Sequence, residues 1–272
     1  MPEKYELAEV FKDTMRFFEE DSILRDAITK SKEKTKFYPA DFSFSEGVRV
    51  SKEGRVSVLT GRTLQTALKV HKKNPEKKIA VLNFAASTRP GGGVWGGSRA
   101  QEESLCRSST LYPTLDTPAM RKAYYEPHNE DYDFRGWDEC IYSPDVIICR
   151  DDSDEIPRRL THDEFVKTDV ITCAAPHLRD NIITSEELFN IHVKRAKNIL
   201  CISAFNDVDI FIGGAFGCGA FHNDPYIVAW AWREALKEYR TKFDGVIFAI
   251  YSKTSADDNN YRAFHNEFAD RL

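Results

Sequence analysis

Apolar positions along this chain fall into two kinds of run. Six stretches are continuously apolar and rich in β-branched residues: RVSVL (55–59), IAVLNF (79–84), DVIIC (145–149), DVITCAA (169–175), DIFIGG (209–214) and GVIFAIY (245–251). Continuity rather than alternation predicts buried strands. Between several of them the apolar period lengthens to that of a helix. Asp224 followed by Pro225 reads as an N-cap and first helical residue, after which Val228, Ala231, Trp232, Ala235, Leu236 and Tyr239 share one face. Thr184 and Glu187 have the spacing of a capping box ahead of Leu188, Ile191 and Ile199. Helices also fit residues 5–19, 61–73, 101–111 and 258–270. Strands alternating with helices of this length predict a three-layer α/β/α domain with a mixed or mostly parallel sheet. Residues 114–143 keep no steady period although they hold Tyr124, Tyr125, Tyr132, Phe134, Trp137 and Tyr142, and they read as an insertion or a long ordered loop. The basic stretch KSKEKTK (30–36) reads as a solvated linker.

Composition narrows the class. With 272 residues, 42% hydrophobic and 30% charged, the chain can bury one sizeable core and is slightly long for one average domain, so a single domain with additions is expected. No apolar run reaches the roughly 20 residues of a membrane helix. The N-terminus, MPEKYELAEV, is charged where a signal peptide would turn apolar, which points to a cytoplasmic protein with no membrane partner. Cys106, Cys140, Cys149, Cys173, Cys201 and Cys218 form no CxxC pair, and several sit in apolar runs, as reduced packing cysteines do. A net charge of −5 and the acidic run RDDSDE (150–155) argue against general nucleic-acid binding. Seven histidines show no HExxH and no partner cysteine spacing, so neither a metal nor a cofactor is expected.

The candidate chemistry lies in two glycine clusters, each after a strand and before a helix. IAVLNF leads through AASTRP to GGGVWGG, and DIFI leads to GGAFGCGAFHN ahead of the Pro225 helix. Glycines permit positive φ and close approach of backbone N–H groups to an anion, and a helix N-terminus adds partial positive charge. Two such loops are suited to clamp one diphosphate from opposite sides; two tight turns are the alternative reading. Neither GxxxxGK[ST] nor GxGxxG is present, which disfavours a P-loop or a dinucleotide domain. Glu102 and Glu103 open a predicted helix, where neighbours point about 100° apart and cannot do the same job. One can face a reacting glycosidic bond as acid and then base while the other grips a hydroxyl; a surface pair complementing the helix dipole is the bland alternative.

Gly91, Gly92 and Gly93, then seven residues, then Gln101, Glu102 and Glu103 make up a GGG to QEE spacing that resembles the bacterial-type poly(ADP-ribose) glycohydrolases, a catalytic branch of the macrodomain fold. VLNFA, RPGGG, SSTLY, IYSPDV, VITCAAP and GAFGCGAFHNDP resemble the family in the same order, so the likeness covers nearly the whole chain, most weakly before Arg55. It implies a single macrodomain-like catalytic domain with a mixed central sheet, carrying an N-terminal helical extension over residues 1–54. It implies Glu103 as general acid/base, Glu102 as the holder of hydroxyls at the scissile ribose–ribose bond, and Asn83 as a distal-ribose contact. Val94 and Gln101 fall with the first loop. Gly214, Ala215, Phe216, Gly217, Cys218, Gly219 and Ala220 match the second, diphosphate-binding loop, with Phe221 against the distal ribose. His222 reads as a surface residue, Cys218 as a backbone contact rather than a nucleophile, and Trp95 as either a cover over the ligand or a rim residue.

The expected activity is hydrolysis of poly(ADP-ribose) from its free end to release ADP-ribose, by a monomer whose partners are ADP-ribose or its polymer on modified targets. Removal of single ADP-ribose units from protein or nucleic acid, and non-catalytic ADP-ribose binding, are the competing readings. The intact acidic motif favours an enzyme, because binding alone does not need an acid.

Overall fold

The computed structural model describes residues 2–44, 54–252 and 255–268. All six predicted strands form, and a short edge strand joins them. In chain order the strands are β1 (Lys36–Tyr38), β2 (Arg55–Thr60), β3 (Ile79–Ala85), β4 (Cys140–Ile148), β5 (Val166–Ala174), β6 (Ile210–Gly213) and β7 (Gly245–Ile250). They lie side by side in the order β1-β4-β5-β3-β6-β7-β2. β4 runs antiparallel to β1 and β5, and the other neighbours are parallel. The sheet is therefore mixed, with a parallel majority.

The helices are α1 (Lys4–Glu20), α2 (Ser22–Lys34), α3 (Thr63–Lys73), α4 (Gln101–Ser108), α5 (Leu111–Leu115), α6 (Pro118–Met120), α7 (Glu126–Glu130), α8 (Ser185–Phe205), α9 (Pro225–Tyr239) and α10 (Ser255–Phe268). On one face of the sheet Leu82, Ile171, Phe211 and Phe248 pack against Ile199 of α8, Trp232 of α9 and Phe264 of α10. On the other face Val81, Val170 and Ile212 pack against Phe11 of α1, Leu64 of α3 and Leu105 of α4. Burying both faces requires continuous apolar strands, which is why the pattern is not an alternating one. The result is the three-layer α/β/α architecture expected from the sequence. No helix among the described residues is long and apolar enough to cross a membrane.

Local signals hold where one helix end suffices to express them. The Asp224 carboxylate accepts from Tyr226 N ahead of Pro225, and Thr184 accepts from Glu187 N. The reciprocal half of the Thr184 box is not made, because the Glu187 carboxylate instead receives Arg135 Nε at 2.6 Å. The stretch 30–36 is not a linker: it is the last turn of α2 followed by the start of β1. α2 buries only Leu24, Ile28 and Ser31, too thin a stripe to stand out among its charges. Residues 114–143 are likewise not an irregular loop. α5, α6, a π-helical turn (Arg121–Tyr125) and α7 follow one another before β4 begins at Cys140. Tyr124, Tyr125 and Tyr142 bury without a regular stripe, each at most 2% exposed, while Tyr132 stays at the surface. The predicted C-terminal helix begins earlier, at Ser255, and its expected last two residues lie outside the described ones.

Candidate active site

The site is built at the C-terminal ends of the central strands. β6 stops at Gly213, and its register with β3 ends at the pair Val81 and Ile212. β3 continues beyond that point with backbone groups that need partners. The first residue of α4 supplies them: Gln101 Oε1 accepts from Phe84 N (2.9 Å), while Gln101 Nε2 donates to Leu82 O (2.7 Å) and to Thr63 Oγ1 (3.1 Å). One carboxamide thus stands in for a strand and pins the start of α4 to the end of β3.

With Gln101 fixed, the next two side chains diverge as helix geometry requires. Glu102 turns to the end of β3, where its Oε1 accepts from Asn83 Nδ2 (3.3 Å) and its Oε2 accepts from Ala86 N (2.7 Å). Asn83 sits opposite Thr172 in the parallel register and also donates to Thr172 Oγ1 (3.2 Å). Glu103 turns to the glycine loop, where its Oε1 accepts from Gly93 N (2.8 Å). Its Oε2 is buried and has no partner. Both carboxyls are sunk in the protein, Glu102 at 2% and Glu103 at 7% exposed, so the reading of a surface pair does not hold. Burial first, and then the neighbouring Glu103 charge, pushes Glu102 up to about 8 against its hydrogen bonds from Ala86 and Asn83. Glu102 therefore favours its protonated form at neutral pH.

The triple glycine makes room for these carboxyls. Gly92 has φ +54°, and a Cβ there would lie 2.6 Å from Glu103 Oε1 and 3.0 Å from Glu102 Oε2. Gly91 at φ +67° faces the Tyr112 ring in the same way. The loop is tied down by Arg107, whose Nη1 donates to Ser98 O (2.6 Å).

A cleft of about 460 Å³ runs from this pair along the sheet ends. The second glycine loop forms one wall through Ala215, Phe216, Gly217, Gly219, Ala220 and Phe221. Asn223 holds that loop in shape: its Nδ2 donates to Pro176 O (2.7 Å) and Gly217 O (3.1 Å), and its Oδ1 accepts from His192 Nε2 (2.8 Å). Burial pushes His192 down to about 4, so the ring stays neutral and keeps that donor role. Phe221 leans edge-on against His177, with ring centroids 4.8 Å apart. At the far end Arg62 lies over the Tyr251 ring (4.6 Å) and donates to Asp154 (2.6 Å). The acidic run 150–155 thus folds back on the cleft, where Arg62 also lies 3.6 Å from Asp152.

The positions singled out in the sequence separate into two groups. Gln101, Glu102, Glu103, Ala215, Phe216, Gly217, Gly219, Ala220 and Phe221 line the cleft. Asn83, Gly91, Gly92, Gly93, Val94, Gly214 and Cys218 stand behind its wall. Asn83 donates to Glu102, and Gly92 and Gly93 of the first loop press on the two carboxyls. His222 is exposed at φ +60°, and Trp95 is a rim residue whose Nε1 donates to Tyr112 Oη at 3.0 Å. Thr172, His192 and Asn223, together with the Arg62 and Tyr251 end, were not legible as site residues. The one local hint is Asn223, placed between a glycine loop and a helix cap.

A macrodomain-like sheet whose ligand cleft ends on two buried glutamates defines a hydrolase that works on glycosidic bonds. The family described as "Microbial-type PARG, catalytic domain" matches residues 13–151. Among solved structures, the poly(ADP-ribose) glycohydrolase of Thermomonospora curvata is similar at 26% identity and TM-score 0.84, over 97% of this chain and 100% of that one. The same enzyme bound to the inhibitor ADP-HPD gives 26% identity and TM-score 0.82, over the same shares of 97% and 100%. The poly(ADP-ribose) glycohydrolase of Deinococcus radiodurans in complex with ADP-ribose gives 26% identity and TM-score 0.75, over 89% of this chain and 97% of that one. Comparison with curated protein sequences gave no match. The chain belongs to the microbial-type poly(ADP-ribose) glycohydrolases and is a glycosidase that hydrolyses poly(ADP-ribose).

Proposed function

We propose that the cleft takes the terminal ADP-ribose unit of the polymer and that Glu103 is the general acid and base. The carrying observation is the asymmetry of the pair: both Glu102 oxygens are engaged, whereas Glu103 Oε2 is buried without a partner beside the cleft. The free oxygen is the one placed to exchange a proton with the reacting bond. A distal ribose between Phe221 and the glutamates puts its anomeric carbon there, the diphosphate follows along the backbone of Gly217 and Gly219, and the adenine reaches the end marked by Arg62 and Tyr251. The similar Deinococcus enzyme in complex with ADP-ribose supports this reading of the ligand.

Hydrolysis then runs in two proton transfers. Glu103 protonates the oxygen leaving the anomeric carbon, the bond breaks through an oxocarbenium-like transition state, and the resulting carboxylate takes a proton from the attacking water. Before substrate binds, Glu102 favours its protonated form. A ribose hydroxyl donating to Glu102 favours its ionised form and so frees that proton for the reacting bond. Substrate binding thereby places the proton where it is used.

The test is Glu103→Gln on defined polymer. The variant keeps shape and removes the acid, so turnover is expected to fall by at least about 100-fold while ADP-ribose binding, measured by calorimetry, survives. Turnover at the wild-type rate rejects the assignment.

A further inference from the structure

The triple-glycine loop also borders a second cavity, of about 540 Å³, that shares no lining residue with the cleft. Two hydrogen bonds cross between their walls, from Gly93 N to Glu103 Oε1 and from Arg107 Nη1 to Ser98 O, with Gly93 and Ser98 on the second cavity's side. Trp95, Tyr112, Arg89 and Arg121 line this second space. Trp95 is 51% exposed, yet its plane is fixed by the Tyr112 hydroxyl and by edge-on contact with Phe11 at 4.8 Å. Arg121 is held by Asp116 (2.6 Å), which also accepts from the Tyr112 hydroxyl (2.9 Å). Arg89 is exposed and makes no ion pair among the described residues. A fixed, half-exposed indole flanked by two guanidiniums matches a nucleotide, with the base on the ring and phosphate oxygens on the cations.

The chemistry of the substrate says which nucleotide. Each bond cleaved joins the terminal ribose to a ribose hydroxyl oxygen of the next unit, and that unit carries its own adenine and diphosphate. The leaving oxygen has to lie at the Glu103 carboxyl, because that group protonates it. The next unit therefore departs from Glu103, and Gly93, whose N–H donates to that carboxyl, lines the second cavity. We infer that this cavity is a leaving-side subsite that binds the penultimate ADP-ribose unit, with its base on Trp95 and its diphosphate at Arg89 and Arg121. The inference rests on the functional reading above and deepens it: the subsite rewards a polymer, whose leaving group is a nucleotide, over a single ADP-ribose on a side chain.

The experiment compares two substrates that share the terminal unit: an end-labelled ADP-ribose trimer, and ADP-ribose carrying a p-nitrophenyl group on the anomeric oxygen of its terminal ribose. For Arg89→Ala, kcat/KM on the trimer relative to the aryl compound is expected to fall about tenfold, the equivalent of about 1.4 kcal/mol, mainly through KM. Arg89→Glu should lower the ratio further, and Arg89→Lys should restore most of it. Parallel losses on both substrates, or an unchanged ratio in all three variants, overturn the subsite. Failure of the functional reading looks different: the wild-type chain would then cleave neither substrate, and the subsite assignment would fall with it.

Discussion

Glu102 is a carboxyl that folding forces out of water beside a second carboxyl, and its titration carries consequences that can be measured. Burial raises it from 4.5 to about 8, so the folded chain holds a proton that the unfolded chain releases near its ordinary value. Stability linked to this group is therefore present below the unfolded value and is lost as pH climbs through the window up to about 8. Glu102→Gln has no such charge to bury. Its melting temperature should rise relative to wild type between about pH 5 and about pH 8.5, and equal slopes for the two proteins would contradict the assignment. In the proposed mechanism catalysis draws on the same proton, so kcat/KM should fall as pH rises past about 8. A rate flat to pH 9.5 or so would mean that the pair gives up its proton elsewhere. Asn83 belongs to this account as a supporting donor. Its Oδ1 is buried without a partner, which leaves the amide oriented by Glu102 and Thr172 alone.

α4 is short, and its placement depends on one contact at its start and one at its end. Gln101 does the work of a missing strand, and Gln101→Ala would leave Phe84 N–H and Leu82 C=O unpaired at about 1–3 kcal/mol each. Chemical denaturation should show that loss, and turnover should fall with it because Glu102 and Glu103 ride on the same turn. The second contact comes from α1, which backs α4 through Thr14 Oγ1 donating to Arg107 O (2.9 Å). α1 also touches the glycine loop: Gly97 has φ +72°, and a Cβ there would lie 1.7 Å from Lys4 O. Gly97→Ala must push α1 off the loop, so a loss in the upper range for single substitutions, about 3–5 kcal/mol, is expected. Gly96→Ala is the control, since a Cβ there meets nothing within 4 Å, and it should stay within about 0.5 kcal/mol of wild type. Similar losses for the two would show that the loop, and not the docking of α1, is at fault.

In the proposed reading the second glycine loop and Phe221 wall off the distal-ribose end of the cleft, and Asn223, His192 and His177 hold that loop. A polymer continuing past the distal ribose would run into Phe221, so cleavage is expected to start at the free end. Early time points on long polymer should show free ADP-ribose as the main product; mostly internal fragments would reject a closed cleft. Phe221→Ala should lower turnover more than it weakens ADP-ribose binding, because orientation lost at the reacting bond is lost chiefly in the transition state. Equal effects on both would mean that Phe221 only adds contact area.

What the chain determined by itself was whatever lies within a few residues. Six strands follow from uninterrupted apolar runs, and the Asp224 and Thr184 helix starts follow from a side chain reaching its own first turn. The glycine-to-glutamate spacing placed Glu102 and Glu103 on one helix start, and the divergence of the two followed from helix geometry. α2 and β1 escaped because three buried residues, or three strand residues in all, leave no period to detect. The tertiary structure alone decided which neighbours those local pieces meet. The register alone sets Asn83 against Thr172 and Glu102, and the packing alone seats two carboxyls against the hollow of the first glycine loop. Arg62 and Tyr251 join at the cleft's far end only because β2 and β7, remote in the chain, lie side by side in the sheet. Strand order is a property of the whole core, since each central strand buries both faces against any helix that fits; the apolar runs that predict the strands carry no label for their neighbours.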